Sequence, residues 1–212
     1  MLKQNDKSIV VLSAAYKLLA SIFNYPDQFV YNAMNSGFYR ETLENLTQYM
    51  IESGTVTAEL SSTWLYKGEE FWQKPLEGIQ AAYTELFDFS YPQPVCPPYA
   101  GMYMPGGNNY PGPRTQLMGE LGTKYYCWGL ELENEVNDHI AVELEFMHFL
   151  LATQYIAAEQ NKDSTVEKLI DEQKWLTTHM KEWIPAFAES LIKQSPDSIW
   201  AIAADILLNL QK

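Results

Sequence analysis

The side chains best suited to chemistry stand at the beginning of one apolar stretch, residues 138–151. Asp138, His139 and Glu143 lie there within six positions of the chain. At about 100° per residue in a helix, His139 and Glu143 point between two apolar arcs, so both are predicted to face inward. A histidine and a carboxylate one turn apart can serve a hydrolase, can share a metal ion, or can satisfy each other by hydrogen bonding.

The residues around this pair favour binding over catalysis. The chain has three histidines, and His148 is roughly half a turn out of phase with His139, so no third metal ligand is placed nearby. The sequence has no Gly-x-Ser-x-Gly, phosphate-binding or dinucleotide-binding motif. We therefore expect no catalytic residue, metal or cofactor. The pair is either hydrogen-bonded in the core or at the edge of a binding site, and a small helical hydrolase or cofactor-binding enzyme using His139 and Glu143 is the alternative.

Hydrophobic periodicity predicts an all-α protein, because no segment alternates apolar and polar residues over the length of a strand. The apolar stretch itself should be a buried helix from about 138 to 160, with Asn137 or Asp138 as its N-cap. We expect one compact domain over residues 1–212 with roughly ten helices. The other predicted helices are residues 8–24, 27–35 with Asp27 as the cap, 39–52, 56–66, 68–88 with a break at Pro75, 114–129, 164–192 with an interruption near Pro185, and 197–211.

One long irregular segment, residues 89–113, interrupts this helical pattern. It holds seven prolines and four glycines, a composition that neither a helix nor a central strand tolerates. It also carries aromatic residues and methionines, which are typical of adaptable peptide-binding surfaces. The segment is therefore either a binding loop or an ordered flap that covers the core, and its glycines predict the least ordered internal part of the chain.

Two short motifs resemble those of the TorD/DmsD family, which is related to the NarJ group. The first consists of Asp138-His139-Ile140 followed by residues 143–147, Glu-Leu-Glu-Phe-Met. The second, Tyr-x-x-Leu-Phe, is matched by residues 83–87, about 50 positions earlier. A Pro-Pro-Tyr segment, residues 97–99, lies between them as it often does in members. Members usually carry proline immediately before the Asp-His pair, whereas this chain has Asn137.

The resemblance implies a function that the residues alone do not give. Members of this family are cytoplasmic maturation chaperones for molybdenum-containing oxidoreductases, and they are not enzymes. The implied partners are the molybdopterin oxidoreductase catalytic subunit and its twin-arginine signal peptide, held until the cofactor is loaded. Some members have been associated with guanine nucleotides, and nothing in this sequence supports that independently. The implied state is a monomer or a homodimer.

Charge and cysteine content agree with such a role. The net charge is −13, with two arginines in 212 residues, so a nucleic-acid or anionic-lipid surface is not expected, while basic partners would be attracted. The chain has two cysteines and no Cys-x-x-Cys motif. This pattern is typical of a protein in a reduced compartment rather than of a disulfide framework. No secretory signal is recognisable, and no stretch is expected to reach the length of a transmembrane helix. These features together predict a cytoplasmic protein.

A peptide-binding groove is predicted near the start of the central helix. Its apolar lining would serve the hydrophobic part of a signal peptide, and its acidic rim would serve the arginines. The acidic connector Glu131, Glu133 and Glu135 is inferred from charge, whereas Asp138 and His139 rest on the family resemblance. The helix that carries the Tyr-x-x-Leu-Phe motif is expected to pack beside the central helix. The predicted binding residues are Tyr83, Leu86, Phe87, Tyr99, Tyr103, Tyr126, Asp138, His139 and Glu143.

Overall fold

The computed structural model describes residues 4–88, 94–104, 113–132 and 136–211. Helix accounts for 80% of the structure, and within these ranges the only β pairing is an isolated bridge between Tyr99 and His139. The predicted all-α fold is therefore confirmed. The α-helices of the described ranges are α1 Gln4–Phe23, α2 Gln28–Ala33, α3 Tyr39–Glu52, α4 Ala58–Trp72, α5 Leu76–Tyr83, α6 Pro113–Cys127, α7 Ile140–Glu159, α8 Asp163–Gln194 and α9 Ile199–Leu210.

Side-chain caps fix several of these helix starts. Asp27, Thr57 and Ser198 each accept a hydrogen bond from a backbone N–H in the first turn of α2, α4 and α9. Such caps satisfy donors that a helix leaves free at its N-terminus, and the role predicted for Asp27 is confirmed. Between α2 and α3 the chain passes through a π-helical turn, where Gly37 takes a φ of +95° that other residues rarely adopt.

Helix α8 corrects one prediction. The helix was expected to be interrupted near Pro185, but it continues from Asp163 to Gln194 with the proline inside. Proline removes one backbone hydrogen bond from a helix. Here that loss is outweighed because Trp183, Ile184 and Phe187 on either side of it are buried in the core. Tertiary packing overrides the local preference at this site.

Helix α7 lies at the centre of the molecule, packed chiefly against α1 and α8. By length and composition alone it is apolar enough to cross a membrane, which corrects the expectation that no segment reaches that length. More than half of it is buried inside the protein, including the charged residue Glu143. In this structure α7 therefore serves as a core helix.

The Tyr-x-x-Leu-Phe motif packs against two other helices. The ring centroid of Phe87 lies 4.8 Å from that of Tyr83, 6.4 Å from that of Phe23 in α1 and 5.4 Å from that of Trp200 in α9. The Tyr83 hydroxyl also donates to the Phe23 carbonyl oxygen over 3.1 Å. The aromatic contacts of the motif are thus with α1 and α9, and α7 packs chiefly against α1 and α8 rather than against α5 as was predicted.

Candidate functional site

Residues 94–104, here called the linking segment, fasten the two motifs to each other. The Cys96 N–H donates to the Leu86 carbonyl oxygen over 2.9 Å. Near the start of α7, the Ile140 N–H donates to the Pro98 carbonyl oxygen over 2.9 Å. The Ala100 N–H donates to the Asp138 carbonyl oxygen, also over 2.9 Å. The backbone of the linking segment therefore connects the motif of residues 83–87 with the Asp-His motif.

The linking segment is ordered and partly buried. Cys96, Pro97, Pro98 and Ala100 are all buried, and a short 3-10 turn spans Ala100–Met102. These residues cover part of the core, as the interpretation as an ordered flap predicted, and a binding role for the segment stays a prediction. The rest of the predicted Pro/Gly loop, residues 89–93 and 105–112, lies outside the described residues, as does the prediction about its order.

The Asp138 carboxylate is fully buried and already has donors. Arg114 Nε donates to Asp138 Oδ2 over 2.8 Å, and Arg114 Nη2 donates to Oδ1 over 3.1 Å. The Gly101 N–H adds a third hydrogen bond to Oδ2 over 3.1 Å. Two parallel hydrogen bonds between a guanidinium and a carboxylate are among the strongest polar contacts in proteins. Asp138 was expected at an open acidic rim, and the structure places it beneath Arg114 instead.

Arg114 is held by more than its ion pair. Its guanidinium carbon lies 4.8 Å from the centroid of the Tyr99 ring, a cation–π arrangement. The Asp138 hydrogen bond raises the pKa of Arg114 above its ordinary value, although partial burial opposes that shift. A Cβ atom at Gly101 would come within 2.3 Å of Arg114 Cγ, so only glycine leaves room for the arginine stem. The side chain nevertheless remains 29% exposed.

His139 is the N-cap of α7, a role that the sequence suggested for Asn137 or Asp138. Its backbone is extended, and its Nδ1 accepts a hydrogen bond from the Ala141 N–H over 3.1 Å. The imidazole meets Tyr99 edge-on, with ring centroids 5.3 Å apart. Burial lowers the pKa of His139 to about 4, although the neighbouring Asp138 opposes the shift. The capping nitrogen must be unprotonated to accept, so the structure requires neutral His139.

This cap predicts a loss of stability in acid. The folded-state pKa of His139 lies below the ordinary value of 6.5, so the unfolded chain binds the proton first. The contribution of His139 to stability should fall by about 3 kcal/mol as the pH decreases from 6.5 towards about 4, at about 1.4 kcal/mol per pKa unit. Urea denaturation at a series of pH values measures this slope.

Two substitutions distinguish the contribution of His139 as an N-cap from the effect of its protonation on stability. Asparagine is a good N-cap that does not titrate, so His139→Asn should remove most of the acid slope and keep stability at neutral pH. His139→Ala should also remove the slope, but at a cost of about 1 kcal/mol at neutral pH from the lost cap. An unchanged acid slope in both variants would contradict the assignment.

Glu143 is also fully buried, and it does not pair with His139 as one interpretation predicted. His179 Nε2 in α8 lies 3.0 Å from Glu143 Oε1, and Trp183 Nε1 donates to Oε2 over 3.2 Å. Burial raises the pKa of Glu143, while the His179 hydrogen bond lowers it in part. Burial works to lower the pKa of His179, but the hydrogen bond and charge of Glu143 raise it above 6.5 overall. The two groups thus hold a proton between them inside the core.

The chain is similar to members of one known protein family. A family model described as the nitrate reductase delta subunit matches residues 36–189. The chain belongs to this family. A perchlorate reductase assembly chaperone of Dechloromonas aromatica strain RCB is 27% identical over 191 residues, covering 85% of this chain and 77% of that protein. The chaperone protein TorD of Vibrio cholerae is 28% identical over 115 residues, 52% of this chain and 49% of its own length.

A solved structure supports the same family assignment. A redox enzyme maturation protein from Archaeoglobus fulgidus superposes with a TM-score of 0.51 at 25% sequence identity. The match covers 100% of this chain and 97% of that chain. The relatives of this delta-subunit family member are thus named as assembly or maturation proteins rather than as enzymes, and the resemblance to TorD is confirmed.

The structure of this family member divides the predicted binding residues into three sets. Tyr99, Asp138 and His139 meet at the junction between the linking segment and α7. Tyr103, in the same segment, stacks on Trp183 of α8 with ring centroids 6.2 Å apart. Tyr126 is exposed on α6. Of the acidic connector, Glu131 is exposed, and Glu133 and Glu135 lie outside the described residues. The buried set consists of Tyr83, Leu86, Phe87 and Glu143.

Sequence reasoning missed two partners at the centre of this site. Arg114 is one of only two arginines and follows the Pro/Gly loop, which was the available signal for its role. His179 stands at helical spacing from Leu176 and Trp183, both buried, so it could have been placed on the inward face of α8. These sequence signals do not identify the carboxylate with which Arg114 or His179 pairs.

Proposed function

We propose that this protein is a cytoplasmic maturation chaperone for a molybdopterin-containing oxidoreductase subunit. It would bind the twin-arginine signal peptide, the apo form of the subunit, or both, and hold them for cofactor insertion before export or assembly. The observation that carries this proposal is the match to the perchlorate reductase assembly chaperone, which extends over 85% of the chain. Family membership across residues 36–189 supports it.

The state of the ionisable groups supports binding rather than catalysis. At the junction, Asp138 is engaged by Arg114, and Glu143 is engaged by His179 and Trp183. His139 uses the nitrogen that would act as a base to cap α7. An acid–base catalyst needs a free group within reach of a substrate proton. These three groups are instead committed to internal partners.

The surface chemistry near the junction suits a basic peptide. Tyr99 is partly exposed beside the guanidinium of Arg114, and the net charge of −13 favours the approach of arginine-rich segments. Aromatic side chains commonly anchor a bound peptide, and truncating one costs about 2 kcal/mol or more. Tyr99 is thus the leading candidate for such an anchor, and Tyr103 is partly exposed in the same segment.

Titration calorimetry with the client's twin-arginine signal peptide tests the proposal. Wild type should bind, and Tyr99→Ala should bind about 30-fold more weakly, since about 2 kcal/mol of anchor energy is lost. Tyr66→Ala is the matched control, because Tyr66 is exposed on α4 and should leave the affinity unchanged.

Two further arms make the test decisive. A peptide with its arginines replaced by lysines should bind more weakly, because lysine cannot make the two parallel hydrogen bonds by which a guanidinium pairs with a carboxylate. Folded wild-type protein that binds neither the signal peptide nor the apo subunit would refute the proposed function. Loss of affinity in Tyr66→Ala equal to that in Tyr99→Ala would place the peptide elsewhere.

A further inference from the structure

We propose that Arg114 acts as an internal competitor. It fills a guanidinium site formed by Asp138 and Tyr99, and an arginine of the client peptide takes this site when Arg114 leaves it. The identity of the client rests on the proposed function, whereas the site itself rests on the structure alone.

The site has the components that recognise a guanidinium. The buried carboxylate of Asp138 offers both oxygens to two nitrogens of one guanidinium, at 2.8 and 3.1 Å. The Tyr99 ring provides an aromatic face 4.8 Å from the guanidinium carbon. The Gly101 N–H holds Asp138 Oδ2 in position over 3.1 Å. This geometry matches the planar guanidinium of an arginine, and it does not match the compact ammonium group of a lysine.

The carboxylate belongs to the fixed part of the site. Asp138 immediately precedes the N-cap of α7, and its carbonyl oxygen accepts from Ala100 in the linking segment. Its side chain is completely buried, so it cannot move towards a ligand in solvent. Any arginine from outside must therefore bring its guanidinium to Asp138, into the place that the Arg114 guanidinium now fills.

Arg114 belongs to the exchangeable part. It is the second residue of α6, and 29% of its side chain is exposed, so part of this side chain already faces solvent, whereas Asp138 does not. Replacing it with a peptide arginine exchanges one bidentate pair for a chemically equivalent one, and the buried carboxylate stays paired in both states. Exchange therefore avoids the large cost of leaving a buried charge alone. A ligand that must displace an occupant binds more weakly than it would bind to an empty site. Its apparent Kd is the intrinsic Kd divided by the fraction of sites that are empty.

A purely structural ion pair makes the opposite prediction for binding. If Arg114 only held α6 against the linking segment, its removal would loosen the site and weaken or preserve peptide affinity. If Arg114 is a competitor, its removal should strengthen affinity for arginine peptides. The sign of the change in peptide affinity therefore distinguishes a structural role of Arg114 from a role as a competitor.

The first experiment needs no client. Arg114→Ala should be stabilised by ethylguanidinium chloride at millimolar concentration, far below the range in which guanidinium salts denature, with a rise in Tm of about 3 °C. Ethylammonium chloride at the same concentration is the matched salt control. Wild type and the double variant Arg114→Ala with Asp138→Asn should show no such rise. Equal responses in all these proteins, or no response in any, would overturn the site.

The second experiment uses the twin-arginine signal peptide in titration calorimetry. Arg114→Ala should bind about tenfold more tightly than wild type. Arg40→Ala is the charge-matched control, since it removes the other arginine, an exposed residue paired with Glu69 and Glu44. Affinity that is unchanged or weaker in Arg114→Ala, or an equal gain in Arg40→Ala, would overturn the competition.

A third variant keeps the test decisive if Arg114→Ala does not fold. The methyl group of Gly101→Ala would occupy the space of the Arg114 stem and push that side chain out while keeping its charge in the protein. It should show the same gain in affinity, and no gain would overturn the proposal. If guanidinium rescue succeeds but neither the peptide nor the apo subunit binds to wild type or to any variant, the guanidinium site stands, and the proposed function fails together with exchange by a client.

Discussion

Phe87→Ala is expected to lower the free energy of unfolding by about 3–5 kcal/mol. Phe87 is buried among the rings of Phe23, Tyr83 and Trp200, with centroid distances between 4.8 and 6.4 Å. Truncation removes these contacts and leaves a cavity that three large neighbours cannot easily fill. Urea denaturation followed by circular dichroism measures the loss.

A surface phenylalanine provides the control for this prediction. Phe29 in α2 is 80% exposed, and Phe29→Ala should change stability by no more than about 0.5 kcal/mol. A small effect of Phe87→Ala, comparable to that of Phe29→Ala, would show that the motif is not part of the core.

The burial of this motif changes how binding data on it should be interpreted. Phe87 and Tyr83 were predicted to line a peptide groove, and that role stays a prediction. Because Phe87 supports the core, a weaker signal from Phe87→Ala reports on folding unless the folded fraction is measured in the same sample. Tyr99, which lies nearer the surface, gives a cleaner test of direct contact.

Local features of the fold could be predicted because they depend on nearby residues. The limits of α3 were predicted as residues 39–52 and are Tyr39–Glu52 in the structure, since periodicity and the preceding glycine act within a few positions. The Asp27 cap is similarly local. The continuity of α8 through Pro185 was not predictable, because burial of distant residues decides it.

The partners within the site could not be predicted for the same physical reason. A helical wheel gives the direction of Glu143 relative to its own helix, but its partner His179 is on another helix, 36 positions later. Arg114 and Asp138 are 24 positions apart and meet only because α6 and the linking segment pack together. Periodicity predicts which side chains face inward and does not predict what they meet there.

His179→Leu is expected to lower the free energy of unfolding by about 3–5 kcal/mol near neutral pH. The substitution leaves the fully buried Glu143 carboxylate with the Trp183 indole as its remaining donor. Removing one partner of a buried charged pair is costly because the other charge stays desolvated. Denaturation with urea at about pH 7.5 should show the loss.

The pH dependence of this cost follows from the proton balance. Burial raises the folded-state pKa of Glu143 above 4.5, so the folded state keeps a proton that the unfolded chain has lost, and the contribution of Glu143 to stability falls as the pH rises above 4.5. Loss of the His179 hydrogen bond raises that pKa further. The difference from wild type should therefore be larger at about pH 7.5 than at about pH 5.

A double variant is the control for the buried pair. Glu143→Leu combined with His179→Leu removes both polar groups, so it should recover most of the stability lost in His179→Leu. A double variant as unstable as the single one, or a pH-independent cost in His179→Leu, would contradict the role of the buried charge.

The packing of α1 against α7 has a consequence for how the protein is made. Roughly 120 residues separate the end of α1 at Phe23 from the start of α7 at Ile140, and Trp200 of α9, which donates to the Ile22 carbonyl oxygen, is synthesised later still. At synthesis rates of about 5–20 residues per second, α1 emerges from the ribosome on the order of ten seconds before its partners. The face of α1 that packs against α7 is without that native cover throughout the interval. A protein proposed to shield another chain thus passes through a stage of its own synthesis in which it presents the kind of surface that general chaperones bind.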